Sequence, residues 1–247
     1  MEYFVREYIL GNVIVWALLG VFALYIVFEI AKRVHYYTGA YYRCTGRMYG
    51  CNPRKSGFKC EEETYEVLRC LEKRGYRFLF GAYLPKPDGT TTEVDAIAVG
   101  PAGIVVIENK DFSGEVIGLE YDKYWSQERP YAAQRSERER WFYNPIMQNA
   151  GHIRAIKRLV GESAPIYSLV VFSDRCQLKV PNLHQQDVRV TQVCKAERTF
   201  NALIANTEEI VDEAEIAKAY ETLKAYIKPS NKIKRQHVKN CRIAAAN

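Results

Sequence analysis

The sequence of 247 residues lacks several signals that would place it in a specialised class of protein. It has seven cysteines but no Cys-x-x-Cys pair, so zinc-ligand spacing is absent, and no helix-turn-helix pattern is visible. An internal repeat and a low-complexity tract are also missing. With 48% hydrophobic and 26% charged residues, the composition excludes a disordered, collagen-like or disulfide-stapled chain. The odd number of cysteines indicates reduced thiols in a cytosolic setting.

One long apolar run lies near the N-terminus. Residues 9–28 read ILGNVIVWALLGVFALYIVF, with Asn12 as the only strongly polar member. Twenty residues at about 1.5 Å per residue give a helix of about 30 Å, the thickness of the hydrocarbon layer of a bilayer. A cleaved signal peptide has a shorter apolar segment, and no A-x-A site follows this one. The run predicts a single transmembrane helix, with a buried core helix as the alternative.

Basic residues after the apolar run predict its orientation. Seven Lys and Arg side chains lie between residues 32 and 59, and no acid lies between Glu29 and Glu61. Such an excess marks the cytoplasmic side of a membrane. We expect a single-pass protein of the cell (inner) membrane, with the N-terminus outside and the chain after about residue 32 in the cytoplasm.

The rest of the sequence alternates between turns, short β-rich runs and amphipathic segments. Strands are predicted within residues 76–84, 91–100, 104–110, 114–119, 166–174 and 188–193. Helices are predicted from residue 61 to Gly75, from Asn144-Pro145 onward and over residues 207–227. Residues 122–143 show no clear period and predict a surface excursion. This order predicts a mixed α/β fold, with a sheet flanked by helices.

The pattern divides the chain into four parts. We expect an anchor over residues 1–31, a basic juxtamembrane linker over 32–55, an α/β domain over 56–206, and an acidic helix with a basic tail over 207–247. From Lys228 onward the tail has six Lys and Arg residues and no acid. Residues 228–247 suit contact with nucleic acid or anionic lipid, although such a tail serves by default to keep a protein soluble.

Charged residues interrupt two of the apolar strands. Residues 104–110 read IVVIENK, and the period of a strand puts Glu108 and Lys110 on one face. Asp95 lies inside EVDAIAV, across a tight Pro-Ala-Gly turn, so antiparallel pairing brings it opposite the neighbourhood of Glu108. An ordinary ion pair at a sheet edge is one explanation. The other is a site for a hard cation, with Asp95, Glu108 and the Asn109 carbonyl holding Mg²⁺ and Lys110 orienting a water.

A longer match favours the second explanation. The segments GFKCEEETYEVLRCL, TTEVDAIAVGPAGIVVIENKDFSGEVIG, the pair Tyr124-Trp125 and FYNPIMQNAGHI follow one another in an order that resembles NERD, the nuclease-related domain. NERD is a branch of the PD-(D/E)xK, restriction-endonuclease-like superfamily. The resemblance implies a restriction-endonuclease-like mixed sheet for residues 56–206, preceded here by a transmembrane helix.

The resemblance also implies roles for individual residues. Asp95 corresponds to the acid of the second strand, Glu108 and Lys110 to the E-x-K pair, and Glu61 to the acid of the first helix. Cys60 replaces the usual glycine beside Glu61, Glu62 and Glu63 are rival acids, and Thr-Glu-Val-Asp replaces the namesake Pro-Asp. In the helix that closes the site, the resemblance places Gln148 and His152. The alternative for Gln148 is an exposed helix residue, and the alternative for His152 is a hydrogen-bonded packing histidine. Trp125 is expected to pack under the sheet.

These observations predict a membrane-anchored nuclease. Its expected cofactor is Mg²⁺ or Mn²⁺, and its expected partner is nucleic acid, DNA rather than RNA. Two other classes stay open: a catalytically silent nucleic-acid-binding protein, and a scaffold protein, each tethered to the membrane.

Overall fold

The computed structural model describes most of the chain, in two compact units. The described residues are 1–50, 58–129, 139–162, 164–181, 183–207 and 211–246. The first unit is Met1–Tyr49 and the second is Gly50–Asn247. The predicted boundary at residues 55 and 56 lies outside the described residues. In the described part the six cysteines are free thiols.

The first unit is built from helix α1 (Glu2–Thr38) and the short helix α2 (Ala40–Thr45). The segment Asn12–Thr38 of α1 is long and apolar enough to cross a membrane, and none of its most apolar window is buried by protein. A helix that is apolar on all sides needs an apolar surrounding. The helix α1 could therefore span a membrane, and it continues past Phe28, where we expected the span to end.

The second unit contains nine strands and five α-helices within its described residues. The strands are β1 (Arg77–Pro85), β2 (Thr91–Gly100), β3 (Gly103–Lys110), β4 (Gly114–Ile117), β5 (Tyr124–Glu128), β6 (Glu139–Tyr143), β7 (Ile166–Phe172), β8 (Cys176–Lys179) and β9 (Val188–Gln192). The helices are α3 (Lys59–Leu68), α4 (Pro145–Val160), α5 (Ala196–Ile204), α6 (Glu213–Lys224) and α7 (Asn231–Ala246). A 3₁₀ turn, Arg69–Arg74, continues α3 to Gly75, where the sequence predicted the helix to end.

The strands form two mixed sheets. The larger has the order β1-β2-β3-β7-β9, in which the first three strands are antiparallel and the β3–β7 and β7–β9 pairs are parallel. The smaller has the order β6-β5-β4-β8. The predicted mixed α/β fold, with sheets flanked by helices, is thus confirmed. Because β3 is buried from Gly103 to Glu108, its polar end emerges from the core of the domain.

The prediction of a surface excursion over residues 122–143 is wrong at both ends. Tyr124–Glu128 and Glu139–Tyr143 are the paired strands β5 and β6, while residues 130–138 lie outside the described part. The strand β6 has no readable alternation, because it is almost wholly exposed and carries mixed charges. Trp125 of β5 is fully buried, stacks on Phe172 and donates its indole N–H to the Leu119 carbonyl, so its predicted packing role is confirmed.

The turn between β2 and β3 sets the register that aligns the two strands. Gly103 has a φ of +110°, a conformation that side chains with a Cβ rarely adopt. A Cβ atom at this position would also clash with the carbonyl oxygen of Pro165, which accepts a hydrogen bond from the Ile104 N–H. Only glycine therefore fits both the turn and the close approach of the neighbouring chain.

We predict that Gly103→Ala destabilises the domain more than a matched change in an open turn. Gly89 also has a positive φ, +76°, but an added Cβ would meet no atom within 4 Å. Gly89→Ala should lower the free energy of unfolding by about 1–2 kcal/mol through backbone strain alone. Gly103→Ala should cost about 1–3 kcal/mol more because of the clash. Urea unfolding of the detergent-solubilised protein measures both, and equal losses would contradict this role of Gly103.

Candidate active site

The polar end of β3 is held against helix α4. Glu108 is only 2% exposed, and its Oε1 atom lies 2.6 Å from the Nζ atom of Lys110. The same Nζ atom donates to Oε1 of Gln148 on α4 at 2.9 Å. Glu108 and Lys110 therefore share one face of the sheet, as the strand period predicted, and the first turn of α4 completes the group.

Asp95 lies beside this pair because of the antiparallel register. The β2–β3 ladder ends with the pair Ala96 and Ile107. Asp95 and Glu108 are the next residues beyond this pair on the two strands. The β1–β2 ladder also omits Asp95, between its pairs at Val94 and Ala96. The Oδ2 atom of Asp95 accepts a hydrogen bond of 2.8 Å from the backbone N–H of Asn109. The carboxylate thus takes the place of a strand partner at the end of the ladder.

Asn144 fixes the start of α4 and so the position of Gln148. Its side-chain oxygen accepts from the Ile146 N–H at 2.8 Å, and Pro145 takes the first helical position. Its side-chain nitrogen donates to the backbone carbonyls of Glu120 and Asp122, at 2.9 and 2.7 Å. The predicted helix start is confirmed, and this cap ties α4 to the loop between β4 and β5.

His152 extends the network one turn further along α4. It is buried, with Nε2 at 3.2 Å from Oε2 of Glu108 and Nδ1 at 2.9 Å from the hydroxyl of Thr92. Both oxygens of Glu108 are thus engaged, one by Lys110 and one by His152. Thr92 was not predicted from the sequence, where its only signal is its place in the polar run that leads into Asp95.

The helix α3 covers the opposite face of the sheet. The side chain of Asn109, between Glu108 and Lys110, turns to this face and accepts a hydrogen bond of 2.8 Å from the Thr64 hydroxyl. Its side-chain nitrogen is buried without a partner among the described residues. Glu61, at the start of α3, is 9% exposed, whereas its rival Glu63 pairs with Lys59 at 3.2 Å. The negative charge of Glu61 acts on Asp95.

The two strand acids have opposite electrostatic environments. Burial, then the negative charges of Glu108 and Glu61, raises the pKa of Asp95 well above its usual value, despite the opposing effects of Lys110 and the Asn109 N–H. Burial alone would also raise the pKa of Glu108, but the Lys110 ammonium and the His152 ring hold it below its usual value. Glu108 is therefore a stably ionised acid, and Asp95 is an acid in an unfavourable negative field.

The donor set suits a hard cation. Asp95, Glu108 and Glu61 offer carboxylate oxygens, the ligands that Mg²⁺ prefers, and a cation would relieve the repulsion on Asp95. The described residues contain no group of three or more His, Cys, Asp or Glu side chains arranged to hold a metal ion. Mg²⁺ usually keeps several waters and is bound through one or two carboxylates, which is the number that Asp95 and Glu108 would offer.

Comparison with known proteins identifies the domain that contains these residues. The model of NERD, the nuclease-related domain, matches residues 56–173. These residues belong to the NERD family. All the charged residues gathered here lie inside the matched segment, and the mixed α/β architecture is consistent with a nuclease-like fold.

A curated relative also matches the chain. An uncharacterized protein of Bacillus anthracis is 28% identical to this chain over 188 residues, which cover 76% of the chain and 84% of the relative. No solved structure matches the chain. The relative therefore adds neither an activity nor a substrate, and the family rests on the NERD match.

We predict that Asp95→Asn stabilises the domain at neutral pH, because it removes a charge from a negative field and keeps an oxygen for the Asn109 N–H. A raised folded-state pKa means that Asp95 favours folding only while protonated, so its benefit is lost as the pH rises through that pKa. The free energy of unfolding at pH 7, without divalent ions, should therefore rise.

Glu108→Gln is the matched comparison, because it removes a charge from the same site. It leaves Lys110 and His152 without their buried partner, so it should lower the free energy of unfolding by about 3–5 kcal/mol. Urea unfolding of the two variants should give shifts of opposite sign. A loss of similar size in both would show that Asp95 is a structural acid.

Proposed function

We propose that this chain is a membrane-tethered, metal-dependent nuclease that hydrolyses phosphodiester bonds of nucleic acid, DNA rather than RNA, on the cytoplasmic side of a membrane. One observation carries the proposal. Three groups distant in sequence, Asp95, Glu108 and Lys110, lie together at the end of two strands, with Gln148 hydrogen-bonded to the amine. The nuclease-related family of residues 56–173 supports the same reaction class.

Each residue has a distinct proposed role. Asp95 and Glu108, with the Asn109 carbonyl and waters, would hold Mg²⁺ or Mn²⁺, and Glu61 would support that shell of ligands. When bound, the ion supplies positive charge where negative charge develops on the phosphate. Gln148 would orient the substrate through the exposed side of its amide.

Lys110 is suited to orient the attacking water. Its ammonium has three N–H donors, of which two point to Glu108 and Gln148. The third is available to a water or a phosphate oxygen. The side chain is 16% exposed, so this donor lies where the site opens to solvent. Held between two acceptors, the amine loses little freedom when the substrate binds.

We expect the purified full-length protein to cut nucleic acid when Mg²⁺ or Mn²⁺ is present and not when EDTA replaces the metal. Lys110→Ala should lower the rate by about 10²–10⁴-fold, because the water loses its orienting group. Asp95→Asn should abolish cutting in a protein that is still folded. A gel assay on single- and double-stranded DNA and on RNA measures these rates.

Lys86 provides a control for the loss of a lysine. It lies in the turn between β1 and β2, where it forms an exposed ion pair with Asp88 at 3.7 Å. Lys86→Ala should cut like the wild type. If the wild type is as inert as Lys110→Ala on every nucleic acid tried, the proposed catalytic role fails.

One observation favours a second candidate, a nucleic-acid-binding protein without catalysis. Both oxygens of Glu108 are already engaged by protein, at 2.6 Å to Lys110 and 3.2 Å to His152. A pure binder would show salt-dependent affinity with neither a metal requirement nor a product. The cleavage assay therefore distinguishes the two, and a scaffold protein would have no affinity for nucleic acid at all.

The proposed orientation can be tested with the whole chain. A tag at the C-terminus should resist protease in right-side-out membrane vesicles and be cleaved in inside-out vesicles, because the basic segment after the span stays in the cytoplasm. Removal of residues 1–38 should release the protein from the membrane fraction. Protection in the inside-out vesicles alone would reverse the proposed orientation.

A further inference from the structure

The chain has two strongly basic segments, residues 32–59 after the apolar run and residues 228–247 at the C-terminus, and the second follows the domain. Residues 228–247 contain six Lys and Arg side chains and no acid, and outside them basic and acidic residues are equal in number, at 29 each. Residues 59–227, from the start of α3 to the residue before the tail, carry 26 acidic and 22 basic side chains. A domain of this net charge repels a polyanion at long range. Any attraction for a nucleic acid must come from elsewhere in the chain.

The positive segment is the helix α7, which packs on the hairpin of β1 and β2. His237 anchors it: Nδ1 lies 3.1 Å from the Thr91 carbonyl oxygen, to which it donates, and 3.2 Å from the Thr91 hydroxyl. The edge of the His237 ring packs against Tyr83 at 5.2 Å between centroids, and its Nε2 lies 3.9 Å from Glu93. The helix is therefore docked on the sheet at a defined place.

Three basic side chains of α7 lie on the face opposite the anchor, whereas Lys234 lies on the side of His237. At 3.6 residues per turn, Lys232, Arg235 and Lys239 fall within about 60° of one another, and His237 falls about 180° from their centre. All three basic side chains are exposed, and none forms an ion pair with a residue in the described ranges. We call these three residues the α7 basic stripe. Since His237 faces the hairpin, the stripe faces solvent.

The docking point is connected to the candidate active site. Thr91, which receives His237, precedes Thr92, whose hydroxyl lies 2.9 Å from His152. His152 in turn contacts Glu108 at 3.2 Å. Thr91 and Asp95 are four residues apart on β2, or about 14 Å along the strand. At about 3.4 Å per nucleotide, the separation between the docking point and Asp95, measured along β2 and not from the basic residues, corresponds to about four nucleotides of one strand of a duplex.

We infer that the α7 basic stripe binds the phosphate backbone of a nucleic acid and holds it beside the site at the end of β3. The inference rests on the proposed function for the identity of the ligand, and it assigns the electrostatic part of substrate binding to residues outside the NERD match. The stripe reads no base sequence, because it presents charge to phosphates rather than donors to base edges.

Two proteins with the same change in charge test the inference. The stripe variant is Lys232→Gln, Arg235→Gln and Lys239→Gln together. The matched control is Lys73→Gln, Lys195→Gln and Arg198→Gln together. All three side chains are exposed: Lys73 lies in the 3₁₀ turn after α3, Lys195 directly before α5 and Arg198 in α5. Each full-length protein is held in nanodiscs of neutral phosphatidylcholine. Binding of a labelled DNA duplex is measured in EDTA, which prevents cleavage, between about 50 and 200 mM salt.

The stripe variant should bind the duplex at least about tenfold more weakly at the lowest salt, and the slope of log affinity against log salt should fall by about 2–3. The control should change the slope by less than about 1. Far-UV circular dichroism checks that both variants are folded, and the single change Lys239→Glu should lower the slope by itself. Equal slopes in the two triple variants would overturn the inference, as would wild-type protein that binds no duplex.

The remaining outcomes separate this inference from the nuclease proposal and from a lipid ligand. Suppose that the stripe variant still cuts DNA with Mg²⁺ and that its salt slope equals that of the wild type. The nuclease proposal would then stand, and the inference about the α7 basic stripe would be overturned. If the wild type binds DNA through the stripe but never cuts it, the inference about the α7 basic stripe is supported and the nuclease proposal is overturned. If the stripe variant keeps its affinity for DNA but loses its affinity for vesicles with anionic lipid, the ligand is a membrane and the inference fails.

Discussion

The buried carboxylate of Glu108 is the group on which the rest of the site depends. A charge that is only 2% exposed is tolerated because Lys110 and His152 each engage one of its oxygens. The contact with Lys110 lies within β3, and the contact with His152 joins β3 to α4. Lys110 in turn donates to Gln148, and His152 contacts the hydroxyl of Thr92. Glu108 thereby fixes the position of the amine, the helix and the neighbouring strand at once.

This arrangement stabilises one acid at the expense of another. The ionised Glu108 and the nearby Glu61 disfavour a charge on Asp95, which has only a backbone N–H and the more distant Lys110 to support it. Folding gains nothing from keeping an ionised acid there, because an amide would make the same hydrogen bond. Strain of this kind is typical of functional sites, where a ligand supplies the missing charge.

The sequence predicted those parts of the fold that have a local signal. The bounds of β2, the cap at Asn144 and the shared face of Glu108 and Lys110 follow from strand period and turn chemistry. The strands β5 and β6 could not be predicted, because neither alternates: the three central residues of β5 are all buried, and β6 is almost wholly exposed with mixed charges. Thr92 and Thr64 were missed because threonine is common in strands and helices, and only the tertiary contacts give these two a role. The docking of α7 through His237 has no sequence signal either, since it joins residues 146 positions apart.

The central claim is that Asp95 and Glu108 form a site for one divalent cation. Calorimetric titration of Mn²⁺ into the full-length protein, without nucleic acid, tests it directly, because binding is measured apart from cleavage. The account predicts one bound ion in the wild type and none in Asp95→Asn, whose fold is retained. Absence of binding in the wild type, or equal binding in both proteins, would contradict it.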